Sequence, residues 1–259
     1  MHPTRPTRAF SLIELLVAIG IIAILISITL PTLATTRIRA NELKSVTNTR
    51  TITQHFTSYA TDKGHFPFVK PGEAPPGVNH TPPPGVTLVR WWPENTIIGL
   101  DSHWSLALLW PGLIYERAPW KENYPTWVSP GRDPDLPTEP PEQPEFLVSY
   151  QYSNSFIAKP DVWRQDARLD ADAISRVNPT TVAFPSSKAI IFDAELAYLR
   201  KTPNVSQGHY AHSTPIAFAD GHAEAKDPTL ATPGFPNPLN GGATTTLHNT
   251  PEGVLGRDF

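Results

Sequence analysis

The amino-acid sequence predicts an α+β protein in which one long N-terminal helix packs on an antiparallel β-sheet. Three observations predict this fold class. A long uncharged apolar segment near the N-terminus leads into an amphipathic pattern with helical spacing. Short alternating apolar runs occur in the C-terminal half, bounded by Gly, Pro, Asn and Asp. The 30 prolines among 259 residues favour long ordered loops between these elements over a helical bundle.

The N-terminal apolar segment is long enough to cross a membrane. The 22 residues from Leu15 to Thr36 carry no charge, and as a helix they extend about 33 Å, against a hydrocarbon core of about 30 Å. We therefore predict a transmembrane helix over about residues 12–34. Two alternatives stay open, a buried helix of a soluble core and a secretory signal cut after the small residue Ala34. Neither alternative explains Glu14, whose carboxylate is costly in lipid and requires a partner.

The stretch "FSLIELLVAIGIIAIL" at residues 10–25 resembles the N-terminal segment of type IV pilins and type II secretion pseudopilins. The resemblance implies a leader over residues 1–9, cleavage by a prepilin peptidase between Ala9 and Phe10, and methylation of the new Phe10 amino group. Glu14 stands where the family has a glutamate that pairs with the N-terminal ammonium of a neighbouring subunit during assembly. A carboxylate at low dielectric favours such a cation. Pro31 matches a helix-kinking proline, whereas Ala9 departs from the glycine preferred before the cut.

The helix is predicted to continue to about Lys63, giving an N-terminal helix over residues 10–63. Gly64 suits its C-cap, and Pro67 prevents the helix from resuming. The stretch at residues 58–67 also resembles the helix exit of pseudopilins. The apolar stripe predicted to pack on the sheet consists of Ile38, Leu43, Val46, Ile52, Phe56 and Tyr59.

The remaining residues, 64–259, are predicted to form one extracytoplasmic head domain. Asp101 is expected to cap a short helix at residues 102–110 that Pro111 ends. Strands are expected at residues 146–156, 181–184 and 189–195. Alternating residues at 215–225 around the Asp220-Gly221 pair predict a hairpin with a tight turn.

This C-terminal half resembles planctomycete- and verrucomicrobia-type prepilin-like proteins, which end with a His, nine spacer residues and Asp-Gly. The segments "SLALLWP", "SYQYSN", "IIFDAE" and "HYAHSTPIAFADGHAEAK" follow the order of that family. The spacing departs from it, because ten residues separate His209 from Asp220 and seven separate His212 from it.

Side chains near this tail are candidates for a metal site, and no other cofactor is predicted. Imidazole and carboxylate ligands suit Zn²⁺, and the carboxylates of Asp193, Glu195 and Asp220 suit Ca²⁺. The ordinary alternative is that Asp220 serves the turn and His222 faces solvent. The full candidate set is Asp193, Glu195, His209, His212, Asp220 and His222.

The seven tryptophans allow two interpretations, a stacking platform for sugars or nucleobases, or core packing beneath the proline-rich loops. No hydrolase elbow, zinc-protease motif or P-loop occurs, so we predict that the protein is not an enzyme. A net charge of −3 gives no basic surface, so no nucleic-acid partner is predicted. The absence of cysteine excludes disulfides and thiolate metal sites.

Together these features predict a structural pseudopilin-like or pilin-like subunit of a type II secretion-like or type IV pilus-like filament. Its expected partners are a prepilin peptidase, an assembly platform membrane protein, other pilin or pseudopilin subunits and the lipid bilayer. We expect a single-pass protein of the inner (cytoplasmic) membrane with a cytoplasmic N-terminus and a periplasmic head. The alternative is a permanently anchored periplasmic binding module that recognises a polysaccharide or another ligand through its Trp-rich loops.

Overall fold

The chain divides into two compact units, Met1–Ala40 and Asn41–Phe259, in a computed structural model. Several of the residues predicted above, including Ala9, Phe10, His209 and His212, lie outside the part that the structure describes. The described residues are 11–68, 106–114, 117–118, 120–132, 148–165, 173–199, 211, 213–237 and 244–259.

A single helix, α1, runs from Leu12 to Lys63. It ends where the sequence predicts, because Gly64 follows with a φ of +77°, a conformation that costs glycine little. The Gly64 amide donates to the Ala60 carbonyl at 2.8 Å and so satisfies one of the last free carbonyls of the helix.

The second unit contains a four-stranded antiparallel sheet in the order β1-β2-β3-β4. The hairpin of β3 and β4 confirms the turn predicted at Asp220-Gly221, and Gly221 has a φ of +93°. The strands comprise Tyr150–Tyr152 (β1), Ala189–Asp193 (β2), Thr214–Phe218 (β3) and Ala223–Lys226 (β4).

Two of the strand predictions are corrected by the structure. Of the run predicted at residues 146–156, the described residues 148–156 form only the short β1 and then a 3₁₀ turn at Asn154–Phe156. The run at residues 181–184 forms no strand and instead lies between two 3₁₀ turns, at Pro179–Thr181 and Pro185–Ser187. Proline starts each of these two turns, since its fixed φ suits the first turn position and it has no N–H to give to a sheet.

The short helix extends past its predicted end, since α2 comprises Leu106–Leu113 and includes Pro111, while the predicted start at residues 102–105 lies outside the described residues. Pro111 removes one backbone hydrogen bond, but Leu113 and Ile114 are buried beyond it, and this packing favours the continued turn. A further helix, α3, at Trp120–Trp127 was not predicted, because prolines surround and interrupt it.

Aromatic side chains join α1 to the sheet in one hydrophobic core. Phe56 of α1 contacts the rings of Trp110 and Tyr152 edge-on, at centroid distances of 5.4 and 4.8 Å. Trp110, Trp127 and Trp163 are all fully buried, which favours core packing over a stacking platform for these three tryptophans. The helix on an antiparallel sheet confirms the α+β fold class.

The predicted stripe of α1 is correct only in its C-terminal half. Ile52, Phe56 and Tyr59 are buried, whereas Leu43 is 68% exposed. The buried positions on the preceding turns are instead polar, namely Ser45, Asn48 and Thr49. Ser45 and Asn48 form hydrogen bonds with side chains of the sheet, whereas the Thr49 hydroxyl donates to the Val46 carbonyl within the helix at 2.9 Å.

Candidate functional site

The N-terminal part of α1 exposes a continuous apolar surface. It is the one helix in the described part of the chain that is long and apolar enough to span a membrane, and none of its most apolar window is buried. A signal sequence near the N-terminus satisfies the same criterion of length and composition. The exposed side chains are Leu12, Ile13, Leu15, Leu16, Val17, Ile19, Ile21, Ile22, Ile24, Leu25, Ile26, Ile28, Leu30 and Leu33.

Glu14 lies in the first turn of α1 and forms a reciprocal cap with Ser11. The Glu14 carboxylate accepts a hydrogen bond from the Ser11 amide at 2.9 Å, and the Ser11 hydroxyl accepts one from the Glu14 amide at 3.2 Å. This is the S-x-x-E capping box, which satisfies two backbone amides at the start of the helix. The S-x-x-E spacing of this box is visible in the sequence and was not predicted. Glu14 therefore has a partner within its own chain.

The helix continues without a break through Pro31. Proline cannot donate to the carbonyl of Ser27, four residues earlier. The Ser27 hydroxyl donates to the Ile24 carbonyl at 2.7 Å, and the Thr35 hydroxyl donates to the Pro31 carbonyl at 3.1 Å. Hydroxyl groups on this apolar segment are thus satisfied by the helix itself, which is what a lipid environment demands. The kink predicted at Pro31 stays a prediction.

Asp193, a predicted metal ligand, is a fully buried carboxylate at the end of β2. One of its oxygens accepts from the hydroxyls of Ser45 and Ser129, at 2.6 and 2.8 Å. The other accepts from the amides of Glu195 and Leu196, at 3.1 and 2.9 Å. Burial raises the pKa of the Asp193 carboxyl, while the four hydrogen bonds oppose this rise.

The same polar cluster includes Tyr150 on β1 and Asn48 on α1. The Tyr150 hydroxyl is 3.1 Å from the Ser45 hydroxyl. It also accepts a hydrogen bond from the side-chain amide of Asn48 at 3.1 Å. Burial, then the nearby Asp193 carboxylate, raise the pKa of Tyr150 well above its ordinary value, so the hydroxyl stays neutral. The polar face of α1 is therefore fixed in register on the sheet by directional hydrogen bonds.

The other candidate metal ligands that the structure describes lie in two separate places. Glu195 forms an ion pair with Arg132 at 3.2 Å and accepts a hydrogen bond from Ser149. Asp220 and His222 meet at the β3–β4 turn, where their side chains are 2.6 Å apart. Within the described ranges, no three His, Asp or Glu side chains form a group that could hold a metal ion. The six-residue metal site stays a prediction.

Comparison with known proteins gives a match at the N-terminus. Residues 4–30 match the family model of the prokaryotic N-terminal methylation motif. The matched segment contains Ala9, Phe10, Glu14 and the first part of α1, and it is consistent with a type IV pilin-like protein that is anchored in a membrane. No curated protein and no solved structure matches the chain. The resemblance of the C-terminal half to planctomycete-type proteins stays a prediction.

Proposed function

We propose that the protein is a structural subunit of a type II secretion-like or type IV pilus-like filament. The observation that carries this proposal is the N-terminal methylation motif at residues 4–30. The exposed apolar surface of α1 supports it, because such a surface requires cover from lipid or from other subunits. The protein stays in the inner membrane, with its N-terminus cytoplasmic and its head periplasmic, until it enters the filament.

In this proposal a prepilin peptidase cuts between Ala9 and Phe10, and the Phe10 amino group is then methylated. An assembly platform draws the subunit out of the bilayer as helices of neighbouring subunits replace the lipid around α1. The capping contact with Ser11 lowers the cost of keeping Glu14 near the membrane before assembly. The Phe10 ammonium of a neighbouring subunit then supplies the cation that the carboxylate lacks.

Processing is tested by the intact mass and N-terminal sequence of the protein isolated from its native membrane. We expect a chain that begins at Phe10 and carries an added methyl group of about 14 Da. A chain that begins at Thr35 would identify an ordinary secreted protein and exclude the filament subunit. An uncut Met1 would favour the permanently anchored binding module.

Assembly is tested with Glu14→Ala, compared with Glu122→Ala as a control that removes an exposed carboxylate from α3. The Glu14→Ala variant is expected to insert into the membrane and to fold its head domain. It is expected to be absent from the sheared filament fraction. Glu122→Ala is expected to assemble like the unaltered protein. If Glu14→Ala enters filaments as efficiently as Glu122→Ala, the proposed assembly contact is wrong.

A further inference from the structure

The β3–β4 turn holds one histidine between two carboxylates. The Nδ1 atom of His222 is 2.6 Å from Asp220 Oδ1, and its Nε2 atom is 3.8 Å from Glu224 Oε1. All three side chains are more than a third exposed, so an ion in solution has access to them. His222 and Glu224 are two positions apart along an extended strand and therefore project from the same face.

The surroundings of His222 fix both its tautomer and the orientation of its ring. Asp220 Oδ1 also accepts the backbone amide of His222 at 3.1 Å, and an ionised carboxylate only accepts hydrogen bonds. In the neutral imidazole, Nδ1 therefore carries the proton, and Nε2 presents a lone pair. The ring lies flat on Phe218, with centroids 4.4 Å apart and planes within 3°. The second ring nitrogen, Nε2, lies within 3.8 Å of the Glu224 carboxylate.

We propose that this turn binds a divalent transition-metal ion, with Zn²⁺ as the probe, through His222 Nε2 and Glu224 Oε1. Two such ligands at about 2.1 Å from a tetrahedral Zn²⁺ are about 3.4 Å apart. The observed 3.8 Å closes to that distance by a small rotation of the exposed glutamate. Asp220 is a positioning residue, in the carboxylate–histidine–zinc arrangement found at metal sites. Water or a donor from a second molecule completes the coordination.

Lys226 sets the strength of this site, because its ammonium competes with the ion for the same carboxylate oxygen. Lys226 Nζ is 3.0 Å from Glu224 Oε1 and lies over the rings of Phe218 and Phe259, at 5.4 and 4.6 Å from their centroids. Lys226→Met keeps the apolar stem of the side chain on the rings and removes the charge. It is expected to tighten Zn²⁺ binding several-fold.

The experiment is a calorimetric titration of the full-length protein in detergent micelles with ZnCl₂. His222→Gln and Glu224→Gln are each expected to weaken binding at this site at least tenfold. Asp220→Asn, which keeps a residue suited to the turn, is expected to weaken it about 10- to 100-fold with the stoichiometry unchanged. His65→Gln is the matched control, because it removes an imidazole whose Nδ1 is 2.7 Å from the Phe66 carbonyl oxygen. Unchanged affinity in both His222→Gln and Glu224→Gln would overturn the proposal.

The positioning role of Asp220 is read from the ring ¹⁵N chemical shifts of His222. In the unaltered protein we expect the Nδ1–H tautomer without metal, and a shift of the Nε2 signal when Zn²⁺ is added. Asp220→Asn is expected to reduce the population of that tautomer. Weakened binding with an unchanged tautomer would refute positioning by Asp220. The site stands on the turn's own geometry, so the result is independent of filament assembly.

Discussion

Lowering the pH from 7 to 5 is expected to destabilise the second unit through His248. This imidazole is 5% exposed, and its Nε2 is 2.7 Å from Gln151 Oε1. Its Nδ1 has no hydrogen-bond partner within the described part of the chain. Burial, and then the nearby Lys188 charge, lower the pKa of His248 to about 3. The folded protein therefore keeps the ring neutral at pH values where an exposed histidine is charged.

The size of the effect follows from proton linkage. Above pH 6.5, the ordinary pKa of histidine, both states hold a neutral ring and His248 has no influence on stability. Below it the unfolded chain binds a proton that the folded chain excludes, so stability falls down to about pH 3. At pH 5, about 1.5 units below the ordinary pKa, the loss is about 2 kcal/mol. The raised pKa of Asp193 acts in the opposite direction, because it makes the folded state bind a proton more readily.

A variant comparison separates these contributions. The free energy of unfolding in urea is measured at pH 7 and pH 5 for the unaltered protein and for His248→Gln, in detergent micelles, by the fluorescence of the buried tryptophans. His248→Gln is expected to lose about 2 kcal/mol less on acidification, since glutamine does not titrate. The same pH dependence in both proteins would refute a buried neutral His248.

Two further predictions concern the unfolding of the same unit in urea. Lys188→Met is expected to lower the free energy of unfolding by about 3–5 kcal/mol, because it leaves the buried Asp258 carboxylate, 3.2 Å away, without its cation. The double variant with Asp258→Asn is expected to recover part of this loss. A loss in the double variant equal to the sum of the two single variants would contradict the pairing. Gly253→Ala is expected to lower stability by about 1–3 kcal/mol more than Gly64→Ala. Both glycines have positive φ, but only the added Cβ at Gly253 meets a neighbouring side chain, the Trp163 indole. Equal losses of stability in the two variants would contradict this steric conflict at Gly253.

The sequence predicted best the features that local chemistry decides. The end of α1 at Gly64 and the hairpin at Asp220-Gly221 each depend on a glycine with positive φ a few residues from the element it terminates. The end of α2 could not be predicted this way. Pro111 is a strong local stop signal, but burial of Leu113 and Ile114 in the core outweighs it, and that core comes from distant parts of the chain.

The polar contacts of the second unit were beyond sequence reasoning for a related reason. Asp193 and Glu195 have the residue types of metal ligands, but their partners lie far away along the chain, in α1 and beside α3. Leu43 fits a helical stripe by spacing, yet Ser45 is the buried residue, because its hydroxyl satisfies a buried oxygen of Asp193.

These contacts give α1 two parts with different sources of stability. Beyond Ala40, its residues are held by the protein itself, through the hydroxyl and amide groups around Asp193 and through Phe56 in the aromatic core. Before Ala40, the described side chains contribute capping and hydroxyl hydrogen bonds that only satisfy the helix. The described part of the chain buries none of the most apolar window there. Burial of apolar surface is the main force that holds a helix in place, so the N-terminal part depends on lipid or on other subunits. A substitution around Asp193 is therefore expected to affect folding of the second unit, whereas one at Glu14 is expected to affect assembly alone.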